Sequence, residues 1–151
     1  MTPVAAKRKR KPKALLPFQA IWSPRGYTVE FPVITQTEGN ANENRFTRID
    51  RCKAQRTAAM FALKQLPNSE ARQRIKRVRF VRFAPGELDL GDNLNSAFKH
   101  IRDQVVAWIA GDNTVAGRGD DGPRCGLTWE YAQVRSKEYG VRIEMTFEVF
   151  T

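Results

Sequence analysis

Hydrophobic positions along the chain recur first with the period of strands and then with that of helices. Leu15 to Trp22 and Tyr27 to Thr35 read as two strands joined by Ser23-Pro24-Arg25-Gly26, where proline sets the turn and glycine supplies a positive φ. Residues 36–44, with Gly39, Asn40, Asn42 and Asn44, read as a polar loop. Helical spacing takes over from Arg45 to Leu66, where Phe46, Ile49, Met60 and Leu63 fall on one stripe and Pro67 stops the helix. Its other faces carry Arg45, Arg48, Arg51, Lys53 and Arg56. Ile75 to Phe83 reads as a strand with Val78 and Phe80 on one face and Val81 and Phe83 on the other, which predicts a central place in a sheet.

Past Pro85-Gly86, either Asp92 or Asn93 can cap a second helix. Leu94, Phe98, Ile101, Val105 and Trp108 form its buried stripe, and Gly111 ends it. A Gly- and Asp-rich loop covers 111–126. Two alternating strands follow, with Leu127, Trp129 and Tyr131 on one face of the first and Val141, Ile143, Met145, Phe147 and Val149 on one face of the second. The order ββ-α-β-α-ββ predicts an α/β (α+β) fold, a mixed β-sheet with two main helices. At 151 residues the chain suits one domain, 15–151, behind a basic arm, 1–14, whose run Lys7-Arg8-Lys9-Arg10-Lys11-Pro12-Lys13 has no apolar period.

Charge sharpens this picture. The net charge is +10, and it is unevenly spread: residues 1–13 hold six bases and no acid, and residues 45–82 hold twelve bases against Asp50 and Glu70. Residues 83–121 reverse the sign, setting Lys99, Arg102 and Arg118 against Glu87, Asp89, Asp92, Asp103, Asp112, Asp120 and Asp121. A basic excess of this kind suits a polyanion, since Lys and Arg displace the counterions condensed on phosphate. An acidic patch opposes such binding unless it has its own task, of which holding a divalent cation is one and a solvated surface is the plain alternative. Cys52, Cys125 and the single His100 make no zinc set, so a reducing, intracellular setting is expected. The longest apolar run, Val105 to Ala110, is far short of a bilayer span, and no apolar signal segment opens the sequence, so a soluble chain without a membrane partner is expected.

Asp92, Ser96, Lys99 and Asp103 are spaced 4, 3 and 4 apart, which predicts one face opposite the apolar stripe. Asp89 stands just before that helix, and Asp120-Asp121 precede the next strand. If that strand lies beside the one ending at Phe83, the two loops can meet at one end of the sheet and bring the carboxylates together near a lysine. Such a set suits phosphodiester hydrolysis, in which carboxylates fix Mg²⁺ and the metal activates water. Helix capping by Asp and the Asp-Asp-Gly turn are the competing structural explanations.

The run Leu88-Asp89-Leu90-Gly91-Asp92-Asn93-Leu94, followed by Ala97, Lys99 and Asp103 and then by Asp120-Asp121 ahead of a strand, resembles the RusA family of Holliday junction resolvases, many of them phage-encoded. The resemblance covers about residues 75–150. It implies a homodimer, Mg²⁺ (or Mn²⁺) as cofactor, cleavage of branched DNA, and the cytoplasm of a bacterial host as the setting. Asp89, Asp92 and Asp121 match the family's catalytic, metal-binding carboxylates, Asp120 stands beside them as a further ligand, and Lys99 substitutes for the family's helix lysine. Ser96 occupies the place where that lysine is expected, and one extra residue separates Asp89 from Asp92. On this reading Lys7, Arg8, Lys9, Arg10, Lys11, Lys13, Arg45, Arg48, Arg51 and Arg56 contact DNA phosphates. A DNA-binding module without catalysis and an RNA-binding structural protein are the competing functions.

Overall fold

The computed structural model describes residues 13–36, 44–67, 70–88, 92–111 and 126–148, with the side chain of Asp92 outside the described set. Its elements are β1 (Gln19–Ser23), β2 (Gly26–Phe31), α1 (Arg45–Lys64), a 3-10 turn (Glu70–Arg74), β3 (Ile75–Ala84), α2 (Asp92–Ala97), α3 (Lys99–Ile109), β4 (Thr128–Arg135) and β5 (Gly140–Phe147). The fold is mixed α+β, as its pattern predicts. Five strands form one sheet in the order β1-β2-β5-β3-β4, antiparallel throughout except for the parallel pair β3 and β4. β3 is therefore internal, in keeping with its two apolar faces.

Alternation assigns one face of the sheet to the core. Val29 and Phe31, Val78 and Phe80, and Val141, Ile143 and Met145 are buried there beneath Ala59, Ala62 and Leu63 of α1 and Ile101, Val105 and Trp108 of α3. The opposite face carries cross-strand ion pairs, Arg142 with Glu30 at 2.6 Å, Arg79 with Glu144 at 3.1 Å and Arg77 with Glu130 at 3.4 Å. Such partly exposed pairs fix strand partners more than they add stability. Gly26, with φ +155°, opens β2 against Met145, whose carbonyl leaves no room for a Cβ.

Four expectations need correction. Residues 15–22 are not one strand: pairing starts at Gln19, and the preceding backbone instead bonds Tyr139, with Tyr139 N–H donating to the Ala14 carbonyl and Leu16 N–H donating to the Tyr139 carbonyl, each at 2.8 Å. The stripe expected on α1 holds only at its far end, for Leu63 is buried while Phe46 is 78% and Ile49 51% exposed. Residues 44–50 are all exposed, so the first two turns overhang the body by about 10 Å at 1.5 Å per residue, and burial begins at Cys52. The second helix is two helices, broken at Phe98 (φ −99°, ψ 2°), whose N–H bonds the Asn95 carbonyl at 3.1 Å. Phe98 stacks on Phe80 and Tyr131 with ring centroids 5.1 and 5.9 Å away, and this packing holds the break. Finally, Asp103 does not lie on a polar face with Lys99. It is buried against α1, because α3 packs on both the sheet and α1, and its contacts with α1 are made by polar residues that the apolar pattern does not register.

Candidate functional site

The contact between α1 and α3 sets the direction of both helices. Cys52 Sγ lies 2.9 Å from His100 Nε2, and Arg56 lies 3.8 Å from Asp103, so the two helices start at the same end. That end is the carboxyl end of β3, where α2 begins after the turn 85–88. β2 runs the same way as β3, since both are antiparallel to β5, and it delivers Thr35 there. The carboxyl end of β4 joins them, because β4 is parallel to β3.

At this end the structure gathers groups that are far apart in sequence. Asp92 opens α2 and Lys99, exposed, opens α3. Arg45 and Arg48, also exposed, and the half-buried Arg51 occupy the overhanging start of α1. Lys13, where the basic arm enters the fold, places its ammonium 5.1 Å from the Tyr139 ring centre at the β4–β5 connection. Arg135 and Lys137, both exposed, flank an open cleft of about 440 Å³ with Pro85 and Ser136. No feature of the sequence singled out this last pair, and only the parallel pairing brings it beside the turn 85–88. The acids at this end include Asp50, Glu87 and Glu138.

The turn itself is held from below. Arg82 donates from Nη1 to the Gly86 carbonyl at 2.6 Å and from Nε to Thr35 Oγ1 at 3.0 Å. Burial pushes the Arg82 guanidinium below its ordinary value, an effect opposed by Tyr139, but arginine stays charged at neutral pH. Gln133 accepts from Leu88 N–H at 2.9 Å and donates to the Leu88 carbonyl at 2.6 Å. Across α2 and α3, Arg102 bonds Asn95 Oδ1 and the Tyr131 hydroxyl, each at 2.6 Å.

Neither a protein-family model nor a curated protein matches the sequence.

Of the residues singled out in the sequence, Asp92, Lys99, Lys13, Arg45, Arg48 and Arg51 belong to segments that lie at this end of the sheet. Arg56 departs from the expected basic face: its guanidinium turns inward to Asp103. Ser96 turns back on its own helix, donating to the Asn93 carbonyl at 3.1 Å. Asp89, Asp120, Asp121 and the arm residues Lys7, Arg8, Lys9, Arg10 and Lys11 lie outside the described residues.

The route by which the two acidic loops were expected to meet also changes. The strand after Asp121 does lie beside β3, but in parallel, so Thr128 at its start pairs with Arg77 while the turn 85–88 leaves the far end at Ala84. The two ends are about 23 Å apart at 3.3 Å per residue. Strand adjacency therefore does not by itself bring Asp120 and Asp121 to Asp92. Among the described residues, no group of three or more His, Cys, Asp or Glu side chains could hold a metal ion. Among them, too, no helix is long and apolar enough to cross a membrane.

Proposed function

We propose that the protein is a homodimeric, structure-selective DNA endonuclease of RusA type that cleaves Holliday junctions or other branched DNA by Mg²⁺- or Mn²⁺-dependent phosphodiester hydrolysis. The observation that carries this reading is the gathering, at the carboxyl end of β3 and β4, of the helix opened by Asp92 with the basic start of α1, Lys99, Arg135, Lys137 and the root of the arm. In open α/β sheets ligands bind outside the carboxyl ends of the parallel strands, and β3 and β4 are the parallel pair of this sheet. The bases there would hold phosphates without reading sequence. Asp89, Asp92, Asp120 and Asp121 are hard oxygen donors of the kind Mg²⁺ prefers, and the ion they would hold supplies an activated water and charge for the phosphate. A second copy has an available edge, since β1 is an outer strand on which Ile21 and Trp22 are more than half exposed.

The alternative, a DNA-binding module without catalysis, is favoured by one observation: the β3–β4 register starts β4 at the end of the sheet away from Asp92. Incubating the purified protein with a labelled four-way junction, with and without Mg²⁺, separates the two. Cut strands only with Mg²⁺ support the endonuclease. A retarded but intact junction in both lanes supports the module.

A further inference from the structure

The overhanging start of α1 combines features that ordinary surface helices keep apart. Phe46, 78% exposed, and Ile49, 51% exposed, project from two turns that carry Arg45, Arg48 and Arg51, with Lys53 one turn further on. Phe46, Ile49 and Lys53 share one helix side, at spacings of three and four. The projection is capped at its free end, where Asn44 Oδ1 accepts from Thr47 N–H at 2.9 Å, and is anchored at its root by the buried residues from Cys52 onward. Phe46 is thus an exposed aromatic near the tip of a projection on which Arg45, Arg48 and Arg51 outnumber the single acid Asp50.

A second copy of the chain is a poor occupant for this surface. The apolar side is one turn long and is followed by Lys53 and Thr57, too short for helix packing, and two such tips would oppose bases of like sign. Charge complementarity selects a polyanion, and an exposed aromatic beside those charges selects one that offers a flat apolar partner. A nucleic-acid base does so only where it is unstacked, because an intact duplex covers its base faces.

We infer that Phe46, backed by Ile49, stacks on an unpaired base of branched or single-stranded DNA while Arg45, Arg48 and Lys53 hold the neighbouring phosphates. This rests on the DNA reading above and adds to it a recognition element for the branch point itself. The projection stands at the same end of the sheet as Asp92 and Lys99, so a base held there would lie on the DNA that the candidate site faces.

The test compares the wild-type protein with Phe46→Ala and Phe46→Trp on a four-way junction, a single strand and an intact duplex. Each junction and single strand carries 2-aminopurine as a stacking reporter. Replacing Phe46 with Ala should weaken binding to the junction and the single strand by about 5- to 150-fold, the range for a lost aromatic–base stack, and change duplex binding less than about twofold. Trp should retain the affinity and the fluorescence quench. Equal affinity of the Ala variant and the wild type for all three DNAs, equal loss on all three, or conversion of a dimer to a monomer by Phe46→Ala would each overturn the stacking role alone. A wild-type protein that binds none of the three overturns the DNA reading together with it.

Discussion

Arg82 and Gln133 face each other in register across the parallel strands β3 and β4, and both reach up to hold the same turn, Arg82 at the Gly86 carbonyl and Gln133 at both polar groups of Leu88. The chain leaves this turn for Asp89 and Asp92, so two side chains on the core face of the sheet set the course of the segment on which the proposed chemistry depends.

Gln133→Leu removes both bonds to Leu88 while keeping a similar volume. The expected cost is about 1–2 kcal/mol in urea unfolding. Hydrogen exchange at the Leu88 amide should quicken, and an unchanged exchange rate would show that the turn is held by other means.

Arg82→Lys keeps the charge but loses the planar fork that serves Thr35 and Gly86 at once. A loss of about 1–3 kcal/mol is expected, with Arg82→Met costing at least as much because the Gly86 and Thr35 acceptors lose their donor. Lys restoring full stability would mean that charge alone matters here.

Arg72 closes the other end of the molecule. It is buried, donates to the Trp108 carbonyl at 2.9 Å in the last turn of α3, and lies 4.5 Å from the Trp108 ring centre. Burial lowers its pKa, opposed by Tyr27, yet the group stays a cation at neutral pH and suits the negative end of the helix. Arg72→Ala should destabilise the fold by about 2–4 kcal/mol, measured by thermal unfolding, and shift the Trp108 fluorescence.

The structure places Asp92 as the first residue of α2 rather than its cap, so Asp92→Asn removes only a charge at the helix start and should change stability by less than about 1 kcal/mol. On the endonuclease reading it abolishes cleavage of a four-way junction while binding stays equal or becomes tighter, because a carboxylate that repels phosphate is gone. Cleavage near the wild-type rate would reduce Asp92 to a first-turn helix residue.

Lys99→Ala should cost less than about 0.5 kcal/mol of stability, as expected for an exposed residue at a helix start. On the endonuclease reading, single-turnover cleavage at saturating protein should fall more than binding does, since a charge near the reacting phosphate acts most strongly in the transition state. A rate within about twofold of wild type, worth about 0.4 kcal/mol, would leave Lys99 as scaffold.

Local pattern marked most of the elements, because its signals act within a few residues: alternation the strands, Pro24 and Gly26 the hairpin and Gly111 the end of α3, but not the start of β1 at Gln19, the end of β2 at Phe31 or the helix break at Phe98. The basic segments were legible for the same reason, as runs of like charge, and the acidic helix start as a short local spacing of Asp89 and Asp92. What tertiary structure alone decided was which faces and ends meet. The overhang that exposes Phe46 depends on where the body stops, and the inward turn of Arg56 and Asp103 depends on α1 packing beside α3. The parallel sense of β3 and β4 rests on hydrogen bonding between segments some fifty residues apart, which no local period encodes. It brings Arg135 and Lys137 to the end where α2 begins and starts β4 at the other.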